Sequence, residues 1–259
     1  DIDLFMKLLL GLFCWAGYYY RKQLLQFSPL RLHYCPLIRV MQLLPGQRGV
    51  VKGTASERTG LNYLLEIDCL SNRYFAMRHG HSIANQQGII VSHPGNGLER
   101  FGLSGLGREQ VKQSLQNFGL LDVNTIIVSS DFCRARESAE IVNAQLSGDG
   151  SINLDSRLRE RYFGELELTA DSGYMDVWQQ DAKDPDSQLR GVESVNQVMS
   201  RVTSVVAEYE DRYTGATILL VSHGDALQIL QTAFARLDGS AHRQLVHLHT
   251  AQIRPLQFD

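Results

Sequence analysis

From residue 72 to the C-terminus, short β-rich apolar runs alternate with amphipathic helical patterns, and few architectures accept that alternation. Apolar runs this short, separated by helices, pair in parallel through crossover connections. The pattern therefore predicts an α/β fold: three layers, α/β/α, around a mostly parallel central sheet. The strand segments are residues 73–77, 125–129, 152–154, 217–222 and a late edge segment at 251–256. The clearest helix covers residues 193–212, where Val195, Val198, Met199, Val202, Val205, Val206 and Tyr209 recur with a 3.6-residue period. Ser104 is placed to cap a second helix carrying Leu106, Val111, Leu115 and Phe118. A third helix, after Asp131, turns Ala135, Ala139, Val142 and Leu146 inward. The expected division is a catalytic domain at 71–259 and an N-terminal extension at 1–70.

Three of the strands end abruptly in polar clusters. YFAM runs into Arg78-His79-Gly80, TIIV into SSDFCRAR, and TILLV into Ser222-His223-Gly224-Asp225. Ligands of open α/β sheets bind at the carboxyl ends of strands, so the three clusters are expected to converge on one crevice holding His79, His223, Arg78 and Arg134. Two arginines and two histidines suit a small dianion, because the planar guanidinium matches phosphate oxygens bidentately. Taken singly, each residue also has a bland explanation. A lone post-strand histidine is more often structural than nucleophilic, and Arg134 alone could be a helix-surface charge. The paired endings M-R-H-G and V-S-H-G change that balance, because a glycine after each histidine lets backbone approach a ligand closely.

Charge narrows the partners. Between residues 4 and 56 stand seven cations (Lys7, Arg21, Lys22, Arg31, Arg39, Arg48, Lys52) and no acid. Removing them and the acids at positions 1 and 3 from the formal total of −3 leaves −8 for residues 57–259. A surface that acidic argues against nucleic acid as a partner. The run LLLGLFCWAGYYY at 8–20 is short for a membrane span and fits a signal-type region or a weak basic anchor, so membrane contact is expected only through residues 1–70. The four cysteines (14, 35, 69, 133) lack CxxC spacing, which favours reduced thiols and a cytoplasmic setting over a zinc site or disulfide framework.

The blocks RHGHSIAN (78–85), SSDFCRARESAE (129–140), LRERYFGELE (158–167), GVES (191–194) and VSHGD (221–225) resemble the histidine phosphatase superfamily, the phosphoglycerate mutase-like proteins. They occur in the family's order over roughly 190 residues. The resemblance implies that His79 attacks phosphorus to form a phosphohistidine. Arg78, Arg134 and His223 would then hold the phosphoryl oxygens, and Glu160 would act as general acid and base. Asn85, Ser92, Arg161 and the Gly224 amide are implied as further substrate contacts, and neither metal nor other cofactor is implied. A surface role for Glu160 would leave Glu165 or Glu167 as the acid, and Glu193 with Ser194 serves helix capping as readily as catalysis.

The segment at 165–189 is rich in Asp and Glu, with Lys183 its only cation. A mutase must retain an acidic bisphosphate while it reorients, so the scarcity of cations favours a phosphomonoesterase over a phosphoglycerate mutase-type transferase. A metal-dependent hydrolase using His79, His81 and His93 and a non-catalytic phosphate-binding module are the other readings. The partner is expected to be a small phosphorylated substrate. A sugar phosphate, a phosphoglycerate, a nucleotide-like monoester or a phosphoprotein would all fit. Nothing in the residues points to an oligomeric state.

Overall fold

A computed structural model of the chain describes residues 61–147 and 151–258. The apolar run at 8–20 and the basic stretch at 4–56 lie outside the described residues. Among the described residues, no helix is long and apolar enough to cross a membrane.

One sheet among the described residues is formed by β1 (Arg73–Arg78), β2 (Ile126–Ser129), β3 (Asn153–Leu154), β4 (Thr217–Ser222) and β5 (Ile253–Leu256), in the order β3-β2-β4-β1-β5. The β3–β2, β2–β4 and β4–β1 pairings are parallel, and β5 runs antiparallel on the β1 edge. The accompanying helices are α1 (Ile83–Gln87), α2 (Pro94–Gly97), α3 (Gly105–Gln116), α4 (Cys133–Gln145), α5 (Tyr174–Asp181), α6 (Val195–Arg212) and α7 (Gly224–Phe234).

The pleat sorts alternate residues to opposite faces of the sheet. Tyr74, Ala76, Val128, Ile218 and Leu220 pack with α6 and α7. Phe75, Met77, Ile127, Leu219 and Val221 pack with α3 and α4. Because both faces are covered, β4 is buried at all six positions and reads as a continuous apolar run. The α/β/α sandwich is therefore the expected one.

Several boundaries differ from expectation for local reasons. Helix α6 starts at Val195 because Ser194 is its N-cap: the Ser194 hydroxyl accepts from the Gln197 amide, and the Gln197 side chain accepts from the Ser194 amide. Ser104 does cap α3, accepting from Gly107 N. Leu106, expected to face inward, is 58% exposed, since the buried stripe of α3 begins at Gly107 and continues through Val111 and Leu115. Leu64, in the stretch expected to be an extension, is fully buried in the same core as Tyr74 and Ile218. Asn62 just before it donates to Ala233 O of α7 at 3.1 Å. The packed unit thus begins before residue 71.

One close approach shapes the site. A Cβ on Gly107 would collide with His81 O, and one on Gly80 would collide with Gly107 O. The turn after β1 can sit this tightly on α3 only because both positions are glycine.

Candidate functional site

Strand β1 ends in Arg78 and delivers His79 to a buried turn, where His79 N donates to Ser222 O of β4 at 3.0 Å. The His79 ring is held by two contacts. Nδ1 lies 2.7 Å from Gly80 O, and since a carbonyl only accepts, Nδ1 carries the proton. Nε2 then presents its lone pair, and it accepts from Arg134 Nε at 3.1 Å. Burial, then Arg134, then Arg78, hold the His79 pKa well below its ordinary value, so the imidazole is neutral. The neutral ring keeps its Nε2 lone pair, shared in this arrangement with the Arg134 donor.

Arg134 reaches this position from the first turn of α4, and its Nη2 donates to Val91 O at 2.9 Å. Arg78 donates from Nη1 to His247 Nε2 at 2.6 Å and to Leu248 O at 3.1 Å. His223, the N-cap of α7, is fully buried beside His79, with ring centroids 5.1 Å apart, and its Nε2 lies 2.8 Å from Ser130 Oγ. Burial and Arg134 keep His223 neutral too. Four buried polar atoms here have no hydrogen-bond partner among the described residues: Arg78 Nε, Arg134 Nη1, His223 Nδ1 and His247 Nδ1. Unpaired buried donors are costly, and a polyoxygenated anion would satisfy several of them at once.

Glu160 lies at the foot of α7, in the turn after the short 3₁₀ segment Ser156–Leu158. Its Oε1 accepts from Arg161 N at 2.9 Å and from Ala226 N at 3.1 Å. Burial and then the Asp225 carboxylate push its pKa up, against Arg134 and the two amides, which pull it down. The turn is clamped by Arg201 of α6, which donates to the carbonyls of Arg157 (2.6 Å), Arg159 (2.8 Å) and Glu160 (3.2 Å) and pairs with Glu193 at 2.7 Å. Glu193 is therefore a structural partner of Arg201, alongside the capping residue Ser194.

A cavity of about 240 Å³ opens between these groups, lined by Arg78, His79, Arg134, Glu160 and, of the further contacts expected, Asn85 and Gly224. Asn85 is anchored through Oδ1, which accepts from Ser82 N and Ser82 Oγ.

Two expected contacts lie elsewhere. Arg161 is fully buried and directed away from the cavity, with Nη1 and Nη2 on Asp181 at 2.6 and 2.8 Å and Nη1 on Asp225 at 3.2 Å. It neutralises two buried carboxylates, a role its place in the LRERYFG block did not distinguish from substrate binding. Ser92 donates to Glu167 at 2.7 Å and accepts from Phe163 N at 3.0 Å, so its hydroxyl staples two loops together. Glu167 also receives His93 N and Asn96 Nδ2, which explains it without chemistry. His81 and His93 are engaged locally, His81 Nδ1 with Ser104 Oγ and His93 Nδ1 with Gly95 N. Among the described residues, no three His, Cys, Asp or Glu side chains come together as a metal set.

Asp171, Tyr174, Trp178 and His247 also line the cavity. The Tyr174 and Trp178 pair is legible as aromatics four apart on a helix, whereas nothing local marks His247, which arrives from the loop before β5.

Burial lowers the pKa of His79, His223, His242 and His247, so the fold is expected to be acid-sensitive, His79 and His223 contributing most. In the unfolded chain these imidazoles take up protons below about pH 6.5, whereas in the fold they do not, so acid favours the unfolded state. Stability is expected to hold above that pH and to fall progressively below it, as long as His79 and His223 stay neutral in the fold. Urea unfolding at pH 7.5 and 5.5 checks this, and equal midpoints would mean that both rings protonate within the fold.

The strand ends thus gather two arginines, the neutral His79 and His223 and the Glu160 carboxyl at and beside one small cavity, an arrangement whose charge matches a small dianion. Residues 74–259 match the family model of the histidine phosphatase superfamily (branch 1), and the chain belongs to that family. A probable phosphoglycerate mutase GpmB of Salmonella choleraesuis (strain SC-B67) is 32% identical over 66% of this chain and 78% of its own length. Mycobacterial glucosyl-3-phosphoglycerate phosphatase is 25% identical with a TM-score of 0.59, over 71% of this chain and 88% of that one. Bacillus stearothermophilus YhfR shares the fold with a TM-score of 0.60, at 24% identity over 73% of this chain and 92% of that one. The chain thus has the phosphoglycerate mutase-like fold and belongs to a superfamily that comprises phosphatases and mutases.

Proposed function

We propose that the chain is a metal-independent phosphomonoester hydrolase working through a phosphohistidine on His79. The observation that carries the proposal is the His79 ring itself, its Nδ1 proton held by Gly80 O and its Nε2 lone pair turned toward Arg134 inside a cationic cavity. A bound phosphoryl group takes the Arg134 donor to its own oxygens and places phosphorus against the freed Nε2. The N–P bond forms as the ester P–O bond breaks, and the leaving oxygen takes the proton of Glu160. Glu160 then removes a proton from water, which attacks phosphorus, breaks the N–P bond and releases inorganic phosphate. Arg78, Arg134 and His223 stabilise the charge on the equatorial oxygens, which is most of what a protein must do in phosphoryl transfer.

A phosphoglycerate mutase is the second reading, favoured by the name of the Salmonella relative. Against it, the lid segment contributes Asp171, Tyr174 and Trp178 to the cavity and no cation to retain a bisphosphate. Purified chain given 2- and 3-phosphoglycerate beside other monoesters is expected to liberate phosphate faster than it interconverts the two glycerates. The reverse order would make it a mutase.

A further inference from the structure

The cavity is lined by two cations, Arg78 and Arg134, and by three carboxylates, Glu160, Asp171 and Asp225. Arg134 donates to His79. Among the cavity's lining residues His79, Arg134, Glu160 and Asp225 are buried and Asp171 is exposed, so Asp171 stands toward the mouth, where the alcohol portion of a monoester would lie. The nearby cations are engaged elsewhere. Arg161 is committed to Asp181 and Asp225. Arg243 stacks on Trp178, with Cζ 3.7 Å from the ring centroid, and pairs with Asp225 at 3.3 Å. Tyr174 stacks on Trp178 at 5.4 Å and 7°, and the indole nitrogen donates to Asp225. Trp178 is thus a closed wall without a free platform for a flat ring. His247 contributes no charge, because burial and then Arg78 push its pKa down to about 4.

Of the three carboxylates that line the cavity, Glu160, Asp171 and Asp225, Asp171 is the exposed one, and it has no ion pair among the described residues, whereas Asp225 is paired with Arg161 and Arg243. Its backbone is anchored: Asp171 N donates to Gly88 O at 2.9 Å, and the flanking bonds Ile90 N to Thr169 O and Leu168 N to Ile90 O join the two loops. Asp171 is exposed, and a negative charge at the mouth of the cavity repels a second anion and tolerates a neutral or positive group.

We infer that the preferred substrate is a phosphomonoester whose alcohol carries no second negative charge, neutral polyol or amino-alcohol in class, and that Asp171 at the rim selects against phosphorylated carboxylic acids. The inference rests on the hydrolase reading above and deepens it by naming the substrate class. Glycerol 3-phosphate and 3-phosphoglycerate test it well, because they differ chiefly in a hydroxymethyl group against a carboxylate.

For the wild-type chain, kcat/KM for glycerol 3-phosphate is expected to exceed that for 3-phosphoglycerate by about tenfold or more, with phosphoethanolamine at least equal to glycerol 3-phosphate. Asp171→Lys is expected to shrink the ratio by about tenfold or more, mainly through tighter binding of the carboxylate-bearing ester and so a lower KM for it, and Asp171→Asn by less. Because the readout is a ratio within one preparation, a loss of folded protein does not move it. p-Nitrophenyl phosphate separates the two levels. A chain that hydrolyses it but uses 3-phosphoglycerate as well as glycerol 3-phosphate, or keeps its ratio in Asp171→Lys, overturns the inference and leaves the hydrolase reading intact. A chain that releases phosphate from none of these esters overturns both.

Discussion

His79→Ala is expected to lower phosphate release by about four orders of magnitude or more, with loss of the acid-labile phosphoryl group trapped on the wild-type protein. The expected size follows from how much hangs on one ring nitrogen. His79 Nε2 accepts from Arg134 and lines the cavity with it. Alanine removes the covalent step and leaves only binding and charge stabilisation, a residual that in other covalent enzymes is far below wild-type turnover. The substitution also frees Arg134 Nε and leaves a small void in a buried turn, so folding is checked separately by the cooperativity of urea unfolding. A folded His79→Ala protein with wild-type turnover would return the site to a simple phosphate-binding pocket.

Glu160→Gln is the second large effect. An alkoxide leaving group needs a proton, so loss of about 10² to 10⁴ in kcat/KM is expected for alkyl phosphates, with far less for p-nitrophenyl phosphate, whose leaving group departs unprotonated. Glutamine keeps an oxygen that can accept from Arg161 N and Ala226 N, so the turn held by Arg201 is preserved and the loss reports chemistry. The pH dependence has a definite sign. Burial and Asp225 raise the Glu160 pKa, so the acid form persists to higher pH than for an ordinary carboxyl. Activity on alkyl esters is lost as pH rises through that shifted value, and this limb disappears in Glu160→Gln. Equal losses on both ester types would assign the proton to another group.

Much of this site is legible because its chemistry sits at strand ends. The turns after β1 and β4, and the helix after β2, bring His79, His223 and Arg134 together whatever the helices between them do in detail, since parallel pairing with register Arg78↔Ser222 aligns those ends. Glu160 was legible only through its family block. Arg161 and Ser92 were misjudged for one reason: a polar residue beside catalytic ones reads the same whether it faces the cavity or the core. Only burial distinguishes the Arg161 pair with Asp181 and Asp225 from a substrate contact.

The order of apolar runs and helices by itself determined the α/β/α class, the strands and the polar clusters at their ends, because periodicity and turn chemistry act over a few residues. The tertiary structure alone decided which charges remain free. Arg201 under the Glu160 turn, His247 against Arg78 and Asp171 at the rim each meet the site across long stretches of chain. Whether a guanidinium binds substrate or a buried carboxylate depends on those long-range neighbours, and no local spacing encodes them.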